Sequence, residues 1–219
     1  MEITRISQTK KGRFALFSGE EFLFSLDPET FFTQRLAEGD DLAADELEQL
    51  RQKSDLRKAK DKALAFLAAR EHAAGELYQK LCRDFDEHTA AAALARMDEL
   101  GLLNDEAFAR RAAAWLLGKN KSRSEILRWM DGRGIDRSLA GRVLEEVYAE
   151  RQADAPEGFG PDGAAALRLV EKQYAAKLAA GKKENVLAAL ARRGFSAADA
   201  RQAVARWQQE HPADEPGEL

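Results

Sequence analysis

A single cysteine, Cys82, stands among the 219 residues, which excludes an internal disulfide and a cysteine-built zinc centre. His72, His88 and His211 have no metal-ligand spacing such as His-x-x-x-His and read as surface histidines. No stretch approaches the roughly 20 apolar residues of a membrane span. The first residues, Met1-Glu2-Ile3-Thr4-Arg5, lack a signal peptide's apolar core. Charge of one sign is also scarce: 34 Lys plus Arg oppose 38 Asp plus Glu, a net of −4, so no uniformly basic coat exists and any basic face is local. A cytoplasmic protein with no membrane partner is expected.

Proline is sparse and unevenly placed. It occurs at Pro28, Pro156, Pro161, Pro212 and Pro216, with none between the first two. Proline costs about 3 kcal/mol inside a helix, so this long Ala-, Leu-, Glu-, Lys- and Arg-rich tract permits helices. Residues 1–56 carry 7 basic and 12 acidic side chains. Segments 3–7, 13–17 and 22–26 there read as short strands between Gly-bearing turns, with helical stretches over 31–37 and 43–52. Residues 57–151 read as helical almost throughout. Segment 152–163 holds two prolines and three glycines and reads as a linker or loop. Helix returns over 164–209, and residues 210–219 read as a flexible tail.

One pattern recurs three times: Glu76-Leu77 and Leu81 before Phe85-Asp86, then Leu94 and Met97; Glu125-Ile126 and Met130 before Gly134-Ile135-Asp136, then Leu144 and Val147; Asn185-Val186 and Leu190 before Gly194-Phe195-Ser196, then Val204 and Trp207. The first pair in each set spaces as one helical stripe, i to i+4. Gly134 and Gly194 fit a left-handed helix end. Asp86, Asp136 and Ser196 fit the N-cap of the following helix. Segment one has Asp84 in place of the glycine and is one residue shorter, so its turn is expected to differ. A further helix precedes each pair, over 57–69, 104–117 and 163–179. The expectation is a mainly α protein: an elongated, curved tandem array of three-helix repeats (57–101, 102–151, 164–209) after a small N-terminal β-hairpin or sheet (1–56). Units this short gain stability by stacking on neighbours. One compact bundle with accidental repetition is the alternative.

These residues resemble the RecX family of recombination regulators. Arg70-Glu71-His72 with Glu76-Leu77 and Lys80-Leu81 is similar to its first-repeat signature. Leu100-Gly101-Leu102-Leu103-Asn104-Asp105-Glu106-Ala107-Phe108-Ala109 resembles its junction into repeat two, continued by Gly118, Ile126 and Gly134-Ile135-Asp136. Ala166-Leu167, Tyr174, Val186-Leu187, Leu190 and Arg193-Gly194-Phe195 look like its third repeat. The resemblance implies a non-enzymatic protein without cofactors that binds the RecA–DNA filament along its groove. It implies lowered ATP hydrolysis and strand exchange, and a role in homologous recombination, DNA repair and the SOS response. Some members also touch DNA, so a weak direct contact with DNA is a further expectation, as is a monomer.

Candidate chemistry is confined to charge. Gly118-Lys119-Asn120-Lys121-Ser122 fails as a phosphate loop, because Ser does not follow Lys directly and Ala113 stands where the earlier Gly belongs; it reads as a helix end with Gly118 at C′. Asp40-Asp41 and Glu145-Glu146 read as solvated or capping acids, and no catalytic constellation emerges. Residues 107–133 hold Arg110, Arg111, Lys119, Lys121, Arg123, Arg128 and Arg133 against Glu125 and Asp131. Lys182, Lys183, Arg192 and Arg193 cluster in repeat three, and Arg70, Lys80 and Arg83 in repeat one. These are the candidate residues for RecA or DNA. The competing reading is an ordinary solvated face paired at i±4. Tyr78, Trp115, Trp129 and Tyr148 could stack on bases but are read as packing residues. A direct DNA-binding helical protein is the alternative function.

Overall fold

The computed structural model describes residues 1–212. The expected tail from 210 onward therefore lies largely outside the described residues. Two compact units divide the chain, Met1–Leu103 and Asn104–Leu219.

The first unit opens with β1 (Arg5–Gln8), β2 (Phe14–Ser18) and β3 (Glu21–Leu26), an antiparallel sheet in sequence order. Helix α1 (Pro28–Gln34) follows, started by Asp27, whose carboxylate accepts the Thr30 N–H at 3.0 Å. Ile3, Leu16, Phe24 and Leu26 are buried beneath the sheet with Leu50 of α2 (Ala44–Ala69). The Arg13 guanidinium donates to the Ser25 carbonyl at 2.8 Å and the Ser54 hydroxyl at 3.2 Å, joining strand to helix.

Helix α2 is one continuous rod, where the sequence suggested separate helices over 43–52 and 57–69. The change of charge near residue 56 does not interrupt hydrogen bonding; only Gly or Pro would, and neither occurs from 44 to 69. Its second half packs Ala59 and Ala63 against Leu77 and Leu81 of α3 (Ala74–Leu81) and Ala90, Ala93 and Met97 of α4 (Glu87–Glu99).

The second unit holds two further sets of three. The first is α5 (Asp105–Gly118), α6 (Arg123–Asp131) and α7 (Arg137–Gln152). Ala109, Ala113, Ile126, Met130, Ala140, Val143, Leu144 and Val147 are among its buried residues. The second is α8 (Pro161–Leu169), a π-helical turn over Val170–Tyr174, α9 (Ala175–Ala179), α10 (Lys183–Arg192) and α11 (Ala197–Glu210). Its core joins Val186, Leu190, Ala200, Val204 and Trp207 to the apolar face of α8.

Every anticipated stripe is buried except Leu94, which is half-buried. Asp86, Asp136 and Ser196 each accept backbone N–H bonds as N-caps. Four residues on, Ala90, Ala140 and Ala200 are all buried, small enough to let helices approach closely. Gly134 (φ 69°) and Gly194 (φ 83°) take the left-handed conformation. In both turns the N–H beyond the glycine returns to the helix, Ile135 to Met130 at 3.2 Å and Phe195 to Leu190 at 3.2 Å. The shorter α3–α4 turn has no left-handed residue; Phe85 N–H donates to Leu81 at 3.0 Å instead.

Two local expectations need correction. Gly118 is the last residue of α5, and Asn120 (φ 57°) is the left-handed one, because the closing bond runs from Lys121 N–H to Leu116 at 3.1 Å. Asn tolerates this conformation through its short polar side chain. Segment 152–163, expected as a linker or loop, is irregular over 153–160 with Phe159 buried in the third core, and α8 begins at Pro161, ahead of the expected helix start.

Candidate interaction surface

The structure sorts the candidate cations into those already engaged and those left at the surface. In the first unit, Arg70 binds Glu76 in a fork, with Nη2 2.5 Å from Oε1 and Nη1 3.2 Å from Oε2. Lys80 donates to His72 Nε2 at 2.9 Å, lies 4.0 Å from Glu76 and sits over the Phe66 ring at 4.9 Å. His72 is therefore no surface histidine: it is 4% exposed, and its Nδ1 is 3.0 Å from the Arg70 carbonyl. Nδ1–H donating there leaves Nε2 to accept from Lys80, so the ring is neutral. Burial lowers its pKa, and Arg70 and Lys80 push it the same way, outweighing the backbone bond. Burial pushes Glu76 up, yet Arg70 wins and holds it below the ordinary carboxylate value. Arg83, just after α3, is exposed and makes no ion pair with a described residue.

In the second unit, Arg110 reaches Glu146 at 2.7 Å and also Glu150. Lys121 pairs with Glu125 at 2.5 Å, and Arg123 with Glu145 at 2.5 Å. Glu145 and Glu146, anticipated as solvated acids, thus neutralise three helices' worth of arginine, with Arg142 bound to Glu106 at 3.1 Å beside them. Arg133 stacks on Trp129 at 3.4 Å, and Arg193 donates to Gln173 at 2.9 Å. Lys119, Arg128, Lys182, Lys183 and Arg192 are exposed and form no ion pair with a described residue; Arg111 is also exposed.

The N-terminus of α6 is held by the third set of helices. Ser122 caps it and donates to the Arg193 carbonyl at 2.7 Å. Asp162 accepts the Arg123 N–H at 3.0 Å and the Tyr148 hydroxyl at 2.5 Å. Burial pushes the Asp162 carboxyl up despite both bonds, and pushes Tyr148 up as well. Gly194 fits closely here: a Cβ on it would stand 2.9 Å from Ser122 Oγ. Sequence reasoning missed this joint, because Asp162 lay in the presumed linker.

The aromatics also divide. Trp129 is half-buried and stacked with Phe108 at 6.1 Å, and Trp207 is 7% exposed. Trp115, read as a packing residue, is 58% exposed: the α5 stripe turned inward is Ala109, Ala113, Leu116 and Leu117, which leaves position 115 outside.

Two hollows recur at one place. Leu127, Arg128, Asp131, Arg137 and Ala140 line one of about 260 Å³. Leu187, Ala188, Ala191, Ala197 and Ala200, each sixty residues on, line another of about 380 Å³. An open hollow of about 650 Å³ between α2 and α4 is lined by Glu48, Gln52, Lys53, Asp86 and His88; Asp86 is engaged there as the α4 cap. Among the described residues no group of three His, Cys, Asp or Glu could hold a metal ion, and no helix is long and apolar enough to cross a membrane.

Residues 59–97 match the model of the RecX first three-helix domain. The chain is 27% identical over 150 residues to the regulatory protein RecX of Caldanaerobacter subterraneus subsp. tengcongensis, covering 68% of this chain and 76% of that one. It is 26% identical over 148 residues to the regulatory protein RecX of Clostridioides difficile, covering 66% and 70%. A solved structure of a regulatory protein RecX shares the fold at TM-score 0.62 and 18% identity, over 93% of this chain and 98% of that one. The structure of RecX from Lactobacillus salivarius does so at TM-score 0.56 and 19% identity, over 71% and 97%.

Proposed function

We propose that the chain, which matches the model of the RecX first three-helix domain over residues 59–97 and is similar to regulatory proteins RecX, is a RecX-type cytoplasmic regulator of the RecA recombinase in homologous recombination and DNA repair. It binds the RecA–DNA filament as a monomer and lowers ATP hydrolysis and strand exchange, acting by contact and not by bond chemistry. Residues 57–101, 102–151 and 164–209 serve as three contacting units.

One observation supports this most: the middle helix of every unit has exposed cations on or beside it that form no ion pair with a described residue. Arg83 follows α3, Lys119 precedes α6 and Arg128 lies on it, and Lys182, Lys183 and Arg192 mark the two ends of α10. A single exposed ion pair contributes only about 0–1 kcal/mol. Several, engaged together by a partner that repeats along a polymer, multiply through effective concentration. Filament is thereby preferred over free subunit. Ties across neighbouring subunits then oppose the rearrangement that accompanies ATP turnover.

The test is RecA ATP hydrolysis on single-stranded DNA with stoichiometric protein added. The rate falls if the reading is right; an unchanged rate contradicts it. Reversing the charge of Lys119, Arg128, Lys182, Lys183 and Arg192 together should cost about ten-fold or more in inhibitory potency while far-UV circular dichroism stays the same. Full inhibition by that variant would remove these cations from the contact.

A further inference from the structure

We propose that the two matching hollows of the second unit are anchor sites, each for one apolar side chain on an acidic surface of neighbouring RecA subunits. One lies between α6 and α7, the other between α10 and α11. The inference rests on the reading above as a RecA regulator and adds which part of the chain does the gripping.

The hollows are one feature built twice. Leu127 and Leu187 are half-buried in their walls, and Ala140 and Ala200 are buried at their base. Each alanine stands four residues after an N-cap, Asp136 or Ser196, and its single methyl leaves the space above it unfilled. The rims differ. Arg128, Asp131 and Arg137 crowd the first, and Ala188, Ala191 and Ala197 hold the same three places in the second. The smaller residues account for its larger volume, about 380 Å³ against about 260 Å³. All six rim positions are exposed, so both hollows open to water. Covering their apolar walls is favourable in proportion to the area removed from water.

Charge selects the occupant. Arg128 and Arg137 at the first hollow and Arg201 at the second are exposed and form no ion pair with a described residue. They stand against Asp131 and Glu184, and Lys183 and Arg192 add two exposed cations at the ends of α10. A partner whose apolar side chains are flanked by carboxylates satisfies walls and rim together. Two equivalent sites on one chain suit a partner that presents the same side chain repeatedly, as the subunits of a polymer do. In the first set of helices Tyr78 and Glu87 hold the places of Leu127 and Arg137. Tyr78 packs on the first core and Glu87 would repel carboxylates, so the anchors belong to the second and third sets.

The test is co-sedimentation with RecA assembled on single-stranded DNA at several salt concentrations. The wild-type chain should pellet with the filament. Ala191→Trp fills the second hollow from an exposed position. It should weaken binding about ten- to 100-fold, the contribution of one buried apolar side chain, and leave the salt dependence unchanged. Asp131→Trp should do the same at the first hollow, whereas Asp131→Asn, which removes the acid and keeps the space, should bind at least as tightly. Arg128→Glu combined with Arg137→Glu should weaken binding and flatten its salt dependence. Ala205→Trp, exposed on α11 but outside both hollows, should bind as the wild type does. Each variant should keep the wild-type urea midpoint, since every changed position is exposed. A wild type that does not pellet contradicts the reading as a RecA regulator and this proposal with it. A wild type that pellets while both tryptophan fillers bind normally, or while Ala205→Trp loses as much as they do, overturns the proposal alone. So does tighter binding by the double arginine reversal. So does a dimer of the free chain that Ala191→Trp abolishes, since a second copy would then be the occupant.

Discussion

The α3–α4 and α10–α11 hairpins share an N-cap, a buried stripe and a buried alanine at the same step, yet they close differently. The first turns without any left-handed residue, through Phe85 N–H to Leu81; the second needs Gly194 at φ 83°. One residue of length makes the difference. An added residue must be absorbed by a backbone that reverses its twist, and only there does glycine become necessary. The cations differ too. Beside α3, Arg70 and Lys80 are drawn into a half-buried cluster with Glu76 and His72, whereas Lys182 and Lys183 at the start of α10 stay in water. The same hairpin draws its cations into a polar cluster in one place and leaves them in water in the other.

The sharpest way to break this comparison is at the glycine. Gly194→Val should destabilise by about 2–4 kcal/mol, because a left-handed backbone and a Cβ 2.9 Å from Ser122 Oγ both oppose it. Gly134→Val should cost at least about 1–2 kcal/mol for its left-handed backbone. Asp84→Gly should change stability by under about 1 kcal/mol, losing only an exposed pair with Lys62. Urea unfolding of the three variants checks the ranking; equal losses would contradict the turn assignment.

Next in size is the joint around Asp162. Asp162→Ala strands the Tyr148 hydroxyl and the Arg123 N–H and should cost about 1–3 kcal/mol. Asp162→Asn keeps an acceptor and removes a buried charge, so it should cost less than half as much. Thermal unfolding of the pair decides whether hydrogen bonding or charge holds the joint.

Acidification sharpens the other half of the comparison. Burial lowers the His72 pKa, so the unfolded chain binds more protons than the folded one once the pH falls below the ordinary histidine value of about 6.5. The contribution of His72 is whole above that pH and is lost as the pH drops through it. His72→Gln should flatten the stability profile between about pH 7 and 5, read from urea midpoints. An unaltered slope would mean that His72 is not held neutral. A comparably small effect is expected for Ser196→Ala, about 1 kcal/mol for one lost cap, measured in the same way.

The helical hairpins were legible because their signals are local. A cap, a stripe at i and i+4 and a glycine at a fixed distance report one backbone conformation each, and Asp136, Met130 and Gly134 are found in those roles. The candidate surface was less so, because a charge in sequence does not show its partner. Arg110 and Lys119 look alike in the chain, but Glu146 and Glu150 lie 36 and 40 residues from Arg110 and meet it only when α5 packs on α7. His72 was misjudged for the same reason: its partners Arg70 and Lys80 are near in sequence, but its burial comes from packing. Trp115 differs, since the inward stripe Ala109, Ala113, Leu116 already leaves it outside and could have revealed the exposure. Asp162 was hidden by the glycines and prolines around it, which suggested a tether.

The account rests on recognition of a polymer by cations repeated along the chain. Co-sedimentation with RecA assembled on single-stranded DNA, against free RecA at equal concentration, tests it most directly. The account predicts that this protein pellets with the filament, remains in solution with free RecA, and is released as salt rises. Equal affinity for free and assembled RecA, or none for either, would contradict it.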